Sequence, residues 1–252
     1  MLPCEIRFLH LTDTHVRADS PVIRGVNPAL ALQELPGCVS GSVDCVIHTG
    51  DLIHRPADET SYRSYAACTE TLPWPVHHIP GNHDDVDLMA SFVSGARSAY
   101  PWQVDVHSLR FIGLDSSSGV VDAAQLSRLS EMLETPGPVI LCVHHHLFEI
   151  DDSWLNPYRL ENAAELLACV DRAAASVLAI LHGHTHYHDE VMYGPIPVLC
   201  AGACSAAFNP FGEFRETAPD LPSVTECRVH TDGRITRRRI FIPSAETPEG
   251  SP

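Results

Sequence analysis

Apolar and polar positions fall in blocks along this chain. Short apolar runs stop abruptly in loops of Gly, Asp, Asn and His, and stretches of helical composition follow. Ile6 to Leu11 predicts a first strand that ends at Asp13-Thr14-His15. Asn27-Pro28 is a helix start, since Asn caps and Pro suits the first helical position, and Leu30, Leu32 and Leu35 extend it until Pro36-Gly37. Cys45 to Ile47 predicts a second strand reaching Gly50-Asp51, with helix over 58–72 before Pro73. A third strand over 76–79 breaks at Pro80-Gly81, just before Asn82-His83, and a helix over 85–93 follows. Strand 109–114 comes next, then a helix over 123–134 opened by Asp122 and Gln125 in capping-box spacing. Strand 139–143 ends at His144, and after a helix over 161–172 strand 177–181 ends in His182-Gly183-His184-Thr185-His186.

Beyond that point the helices stop. Residues 188–201 and 224–242 predict strands joined at Gly194-Pro195 and Asp232-Gly233, the latter a hairpin signal. Strand and helix alternating, then hairpins, predict an α/β mixed-sheet system with helices outside. A length of 252 residues with 44% hydrophobic content suits one domain, over 1–242, with a Pro, Ser, Glu and Gly tail over 243–252 expected to fray.

Charge narrows the partners. The formal net charge is −16, from 32 acidic against 16 basic side chains, which disfavours long nucleic acids and anionic membranes. Arg237-Arg238-Arg239 resembles a basic patch, but strand alternation would split it across two faces. No run approaches the ~20 apolar residues of a membrane span, and the start leads straight into a strand, so a cytoplasmic protein is expected. Nine cysteines without C-x-x-C spacing are expected to be small buried side chains in a reducing compartment.

The strand-end residues carry the chemistry. Singly, Asp and Asn are common turn formers. Together, Asp13, His15, Asp51, Asn82, His144, His184 and His186 are the donors of a two-metal site. Two cations roughly 3.5–4 Å apart can clamp the attacking and leaving oxygens at phosphorus, and they need a bridging anion, for which Asp51 is the natural choice. Imidazole donors favour two transition-metal ions, drawn from Fe, Mn, Zn or Co. Two divalent ions against Asp13, Asp51 and a bridging hydroxide leave roughly +1, and the Asn82 amide keeps it so. His83 is expected to stay off the metals and protonate the leaving oxygen as general acid.

This set, spanning residues 6 to about 190, resembles the signature of calcineurin-like metallophosphoesterases. The resemblance implies a four-layer αββα sandwich of two mixed β-sheets flanked by helices. It also implies one metal held by Asp13, His15, Asp51 and His186, and a second held by Asp51, Asn82, His144 and His184. Within that family His144-His145-His146, Ser153-Trp154-Leu155 and Leu160-Glu161-Asn162 resemble the bacterial class III cyclic nucleotide phosphodiesterases. Where many relatives have two prolines after a His pair, this chain has His146-Leu147-Phe148.

The expected function is thus hydrolysis of a small-molecule phosphodiester, cyclic AMP foremost, by metal-bridging hydroxide. A glycerophosphodiesterase or broad diesterase, a phosphomonoesterase, and a non-catalytic scaffold of the same fold are the alternatives. Among the three consecutive histidines His144 ends the strand first and is taken as the ligand. His145 is a candidate support behind the metal ligands or a substrate contact, His54 is a candidate substrate contact, and Asp84 either orients an imidazole or caps the next helix. Arg55 and the run Ser116 to Ser118 are either substrate contacts or solvated loop positions, the latter favoured. Residues 205–223 match no pattern, and a homodimer is compatible with the sequence.

Overall fold

A computed structural model describes residues 2–243; the expected tail from 244 onward lies outside the described residues. In chain order the elements are β1 (Ile6–Leu11), α1 (Pro28–Cys38), β2 (Cys45–His48), α2 (Glu59–Thr69), β3 (Val76–His78) and α3 (Val86–Phe92). There follow β4 (Trp102–Val106), β5 (Leu109–Gly113), α4 (Ala123–Leu133), β6 (Pro138–Cys142), α5 (Ala163–Asp171) and β7 (Ser176–His182). The chain closes with β8 (Glu190–Tyr193), β9 (Ile196–Cys200), β10 (Ser223–Val229) and β11 (Ile235–Phe241).

Two mixed sheets result, in the orders β11-β10-β1-β2-β3 and β4-β5-β6-β7-β9-β8. Strand alternation explains why their central strands read as continuous apolar runs, because both faces of each are buried. Ile6 and Phe8 of β1, Ile47 of β2, Phe111 of β5, Ile140 of β6 and Leu181 of β7 fill the space between the sheets. Their neighbours point outward. Leu9, Leu11 and Val46 pack beneath Leu32, Tyr62 and Met89 of α1, α2 and α3. Leu141 and Ile180 pack beneath Leu129 and Leu166 of α4 and α5. Helices over sheet over sheet over helices is the four-layer sandwich expected.

Several local details differ from the sequence reading. Pro36 lies inside α1, which runs on to Cys38. There it removes one donor from the helix's last turns instead of ending it. The helix over 58–72 stops at Thr69. Strand β4 was not expected. Its Trp102-Gln103-Val104-Asp105-Val106 alternates strictly, and it pairs antiparallel with β5 at the sheet edge. The capping residues behave as predicted, with Asn27 accepting from the Leu30 amide at 3.1 Å and Asp122 from the Gln125 amide at 2.8 Å.

The consecutive arginines of β11 are each paired with an acid. Arg237 pairs with Glu190, Arg238 with Glu226 and Arg239 with Asp220, so the arginine run offers no free basic patch. All nine cysteines are free thiols, seven of them buried. Among the described residues no helix is long and apolar enough to cross a membrane.

Candidate metal centre

Strands β1, β2 and β3 run parallel in one sheet and β6 and β7 run parallel in the other. Their carboxyl ends meet at one edge, where ligands characteristically bind in open α/β sheets. Backbone bonds lock the loops together: the Asp13 amide donates to the Gly50 carbonyl at 3.0 Å, the His15 amide to Asp51 at 3.0 Å, and the Gly183 amide to His144 at 3.0 Å.

The chain accepts strain to aim these side chains. Asp13, His15, Asp51, His184 and His186 all have φ between 49° and 70°, in the left-handed region. Each such residue costs on the order of 1–2 kcal/mol, so the surrounding packing must hold it. Glycine makes the close approaches feasible. A Cβ on Gly81 would collide with the Asp51 carboxylate and backbone nitrogen, and one on Gly183 with the Thr12 hydroxyl, which explains why Gly precedes Asn82 and His184.

Seven predicted residues converge. Ligand atoms of Asp13, His15, Asp51 and His186 lie within 4.8 Å of one another, as do those of Asp51, His144 and His184, so Asp51 belongs to both groups. The Asn82 amide oxygen lies 3.2 Å from His144 Nε2, which places it with the second group. Hydrogen bonds select the imidazole tautomers. His144 Nδ1 donates to the Thr49 carbonyl at 2.7 Å, and His186 Nδ1 to the Ala206 carbonyl at 2.8 Å. Each bond leaves an Nε2 lone pair turned into the centre, the arrangement in which histidine ligates metal.

Electrostatics gives a test of fit. His15 Nε2 and His186 Nε2 are only 2.9 Å apart, between Asp13 and Asp51, and His184 Nε2 is buried with no protein partner. Burial would lower the pKa of His144, yet the Asp51 carboxylate outweighs it and raises the value to about 9. Burial would likewise lower His186, but Asp13 holds it above the ordinary histidine value. Asp51 goes the other way: burial opposes its charge, but His144 and then His15 and His83 bring it well below the carboxylate range. A cluster that draws protons onto buried imidazoles is one that a cation would relieve. Burial keeps His15 and His184 neutral, as ligands must be.

His83 stands apart from the two groups around Asp51. Its amide donates to Asp51 at 2.9 Å, its Nδ1 donates to the His54 carbonyl at 2.6 Å, and its ring meets His15 edge-on at 4.8 Å. His54 stacks on His83 with centroids 5.5 Å apart, so besides lining the cavity it positions His83. His145 is buried, bonded to Ser116 at 3.0 Å and packed 4.5 Å from His184. It packs against His184 as a supporting residue would, one of the two places expected for it, and Ser116 is buried where a solvated position was expected. Asp84 neither orients an imidazole nor caps a helix. Its carboxylate accepts from the Gly81 amide at 2.9 Å and the Leu52 amide at 3.1 Å, while Asp85 caps α3. The unmatched segment closes the far side: Ser205 donates to the Asp13 carbonyl at 2.6 Å, and Phe208 stacks on His186 at 4.2 Å. Trp154, Tyr158, Phe214, Arg24 and Arg215 complete the cavity. No periodicity signalled Phe208, Phe214 or the two arginines; clustered aromatics in a polar loop were the only sign.

A strand-end cluster of carboxylate, amide and imidazole in a two-sheet sandwich defines a metal-dependent phosphoester hydrolase. The chain belongs to the calcineurin-like phosphoesterase family, whose model matches residues 6–188. It is 30% identical, over 96% of this chain and 92% of the relative, to a protein of Haemophilus influenzae named 3',5'-cyclic adenosine monophosphate phosphodiesterase CpdA. A Pseudomonas aeruginosa protein of the same name is 27% identical over 91% of this chain and 88% of its own length. Among solved structures, yellow lupin purple acid phosphatase PPD1 shares the fold with TM-score 0.66 at 14% identity, over 96% of this chain and 52% of that one.

Proposed function

We propose that this chain hydrolyses small-molecule phosphodiesters, with 3',5'-cyclic nucleotides, cyclic AMP foremost, as substrates. The observation that carries this reading is the overlap of two donor clusters at Asp51. Asp13, His15, Asp51 and His186 would hold one cation, and Asp51, Asn82, His144 and His184 a second. The mixed imidazole and oxygen donors suit Mn, Fe, Co or Zn better than Mg or Ca. When bound, such a pair supplies an ionised water and positive charge opposite the phosphoryl oxygens.

The chain's own residues then divide the work. Asp13 and Asp51 are fixed by the His184 and His83 amides, at 2.9 Å each, and so hold their oxygens toward the centre. Asn82 offers an oxygen without a charge, which spares the centre a further repulsion against an anionic diester. His83 donates from Nδ1 to the His54 carbonyl. Its other nitrogen, Nε2, is the one left to pass a proton to the departing oxygen. The substrate class is supported by the relatives named as cyclic AMP phosphodiesterases, matched across most of both chains.

Purified protein reconstituted with Mn²⁺ and offered cyclic AMP, glycerophosphocholine, bis(p-nitrophenyl) phosphate and the p-nitrophenyl monoester tests this. Cyclic AMP is expected to give the highest kcat/KM among the unactivated substrates. Equal turnover of glycerophosphocholine would move the assignment to a glycerophosphodiesterase or broad diesterase. A much faster monoester would overturn the diesterase class. Absence of both bound metal and activity would favour a scaffold.

A further inference from the structure

The cavity has a wall whose composition differs from its floor. Phosphoryl transfer uses the Asp, Asn and His residues at the strand ends, but it has no use for Trp154, Tyr158, Phe208 and Phe214, or for Arg24 and Arg215, which line the same cavity. These six come from three separate segments and are assembled on one another. The Trp154 indole N–H donates to the Asn209 carbonyl at 3.0 Å, which fixes the ring. Its ring then meets Phe208 at 5.5 Å and Phe214 at 5.2 Å, both edge to face. Arg215 places its guanidinium 5.1 Å from the Phe214 ring centre, and Arg24 lies 5.4 Å from that of Phe208 while bonding the Arg215 carbonyl.

Burial does not account for this group. Phe214 is 58% exposed and Tyr158 47%, although both are large apolar rings. The group is anchored to the metal centre, because Phe208 stacks on His186 with planes 15° apart and centroids at 4.2 Å. A fixed aromatic surface edged by guanidinium groups, opening onto a site for a phosphoryl group, has the chemistry that receives a flat heterocyclic base: every base offers a π-face to aromatic rings and arginine planes. The two arginines also put positive charge at the mouth of a protein whose net charge is −16, on the path of an anionic substrate.

We propose that Trp154 and Phe214, flanked by Arg215, form a nucleobase platform that holds a nucleotide by its base while its phosphate lies on the strand-end floor. The proposal rests on the diesterase reading of that floor and assigns the specificity of the same site to this wall. Phe214 and Arg215 are specificity-determining residues; neither touches the reacting phosphorus.

Equilibrium binding separates the platform from the chemistry. The Mn²⁺-loaded protein is titrated with adenosine 5'-monophosphate and with ribose 5-phosphate, which carries the same phosphate and sugar without the base, while intrinsic tryptophan fluorescence and heat are followed. The wild type is expected to bind the nucleotide more tightly and to show quenching with the nucleotide alone. Phe214→Ala, at an exposed position that leaves the core intact, is expected to weaken the nucleotide about tenfold, the scale of one lost base stack, and to leave ribose 5-phosphate unchanged. Phe214→Trp is expected to restore binding and Phe214→Leu is not, which separates stacking from mere apolar bulk. Equal affinity of the wild type for the two ligands overturns the platform, as does equal weakening of both by Phe214→Ala. If cyclic AMP is not turned over but the base discrimination through Phe214 is found, the diesterase reading fails and the platform stands.

Discussion

The floor and the wall of the cavity are built in different ways. Floor residues directly follow five parallel strands, and their positions are fixed by main-chain bonds between neighbouring loops, such as the Asp13 amide to Gly50 and the Gly183 amide to His144. Wall residues sit in loops bonded mostly to themselves. Between β9 and β10 the Asn209 amide donates to the Glu216 carbonyl, its side chain to the Glu216 carboxylate at 3.0 Å, and Phe208 bridges to Thr217. The floor holds charged and strained groups in a geometry that cannot relax without loss of the sheet edge. The wall presents rings whose positions depend on a few contacts. The difference suggests a division in which the floor fixes the reaction and the wall selects the molecule, and four changes test how far that division holds.

The largest effect is expected from Asp51→Ala, which removes the residue common to both clusters. Turnover should fall by more than the roughly 10–100-fold typical of outer partners of metal ligands, and metal content should fall with it in elemental analysis. His83→Ala comes next. Loss of a general acid should lower kcat by about 10²–10⁴ for cyclic AMP, whose leaving alkoxide needs a proton, but far less for bis(p-nitrophenyl) phosphate. Equal loss on both substrates would return His83 to a purely structural place on the floor.

Asp84→Ala probes the support beneath the floor. Its carboxylate is buried, and burial followed by the Asp51 charge raises its pKa, so the group is held at a cost by its bonds to Gly81 and Leu52. Removal should cost about 1–3 kcal/mol for each amide left unpaired and weaken metal binding roughly 10–100-fold. Denaturation and metal titration read the two effects separately. An Asp84 variant that lost stability but kept full metal affinity would mean the floor does not depend on this carboxylate.

Glu226→Gln lies away from both regions and should have the smallest effect. Glu226 is 3% exposed and pairs with Arg7 at 2.6 Å and Arg238 at 2.7 Å. Burial opposes its charge, but the Arg7 and Arg238 bonds outweigh it and hold the carboxyl at about 2. A depressed acid stabilises the fold above its ordinary pKa and loses that contribution as pH falls toward the folded value. The variant should therefore melt about 2–4 °C lower near neutral pH, with the gap to wild type closing between about pH 4.5 and 2. Turnover should stay at the wild-type level. A change in kcat here would show that the sheet is not the rigid support described.

Most of the floor was legible in the sequence because every donor lies just past the end of a strand, so local spacing carries the information. The Gly-Asp and Gly-Asn-His turns also encode the close approach of Gly81 to Asp51, which no larger residue permits. His144 could be picked from three neighbours because it is the first residue past the strand's last core positions. Asp84 was placed less well, since its partner Leu52 lies 32 residues away and leaves no local trace, and the Ser116 bond that fixes His145 spans 29 residues and was equally silent. Most of the wall was illegible for the same reason in stronger form, with Trp154 standing out only through the Ser153-Trp154-Leu155 resemblance. Trp154 and Asn209 are 55 residues apart, and only the folded chain brings Phe208 against His186. Strand β4 shows another limit, an edge strand whose polar alternate positions made it look like loop.

The central claim is a pair of cations sharing Asp51, with Asn82 committed to only one of them. Metal per chain, measured after Mn²⁺ reconstitution and removal of excess ion, tests it most directly. Two equivalents in the wild type falling to one in Asn82→Ala is the result this account predicts. A single equivalent in the wild type, or two in both proteins, would contradict it.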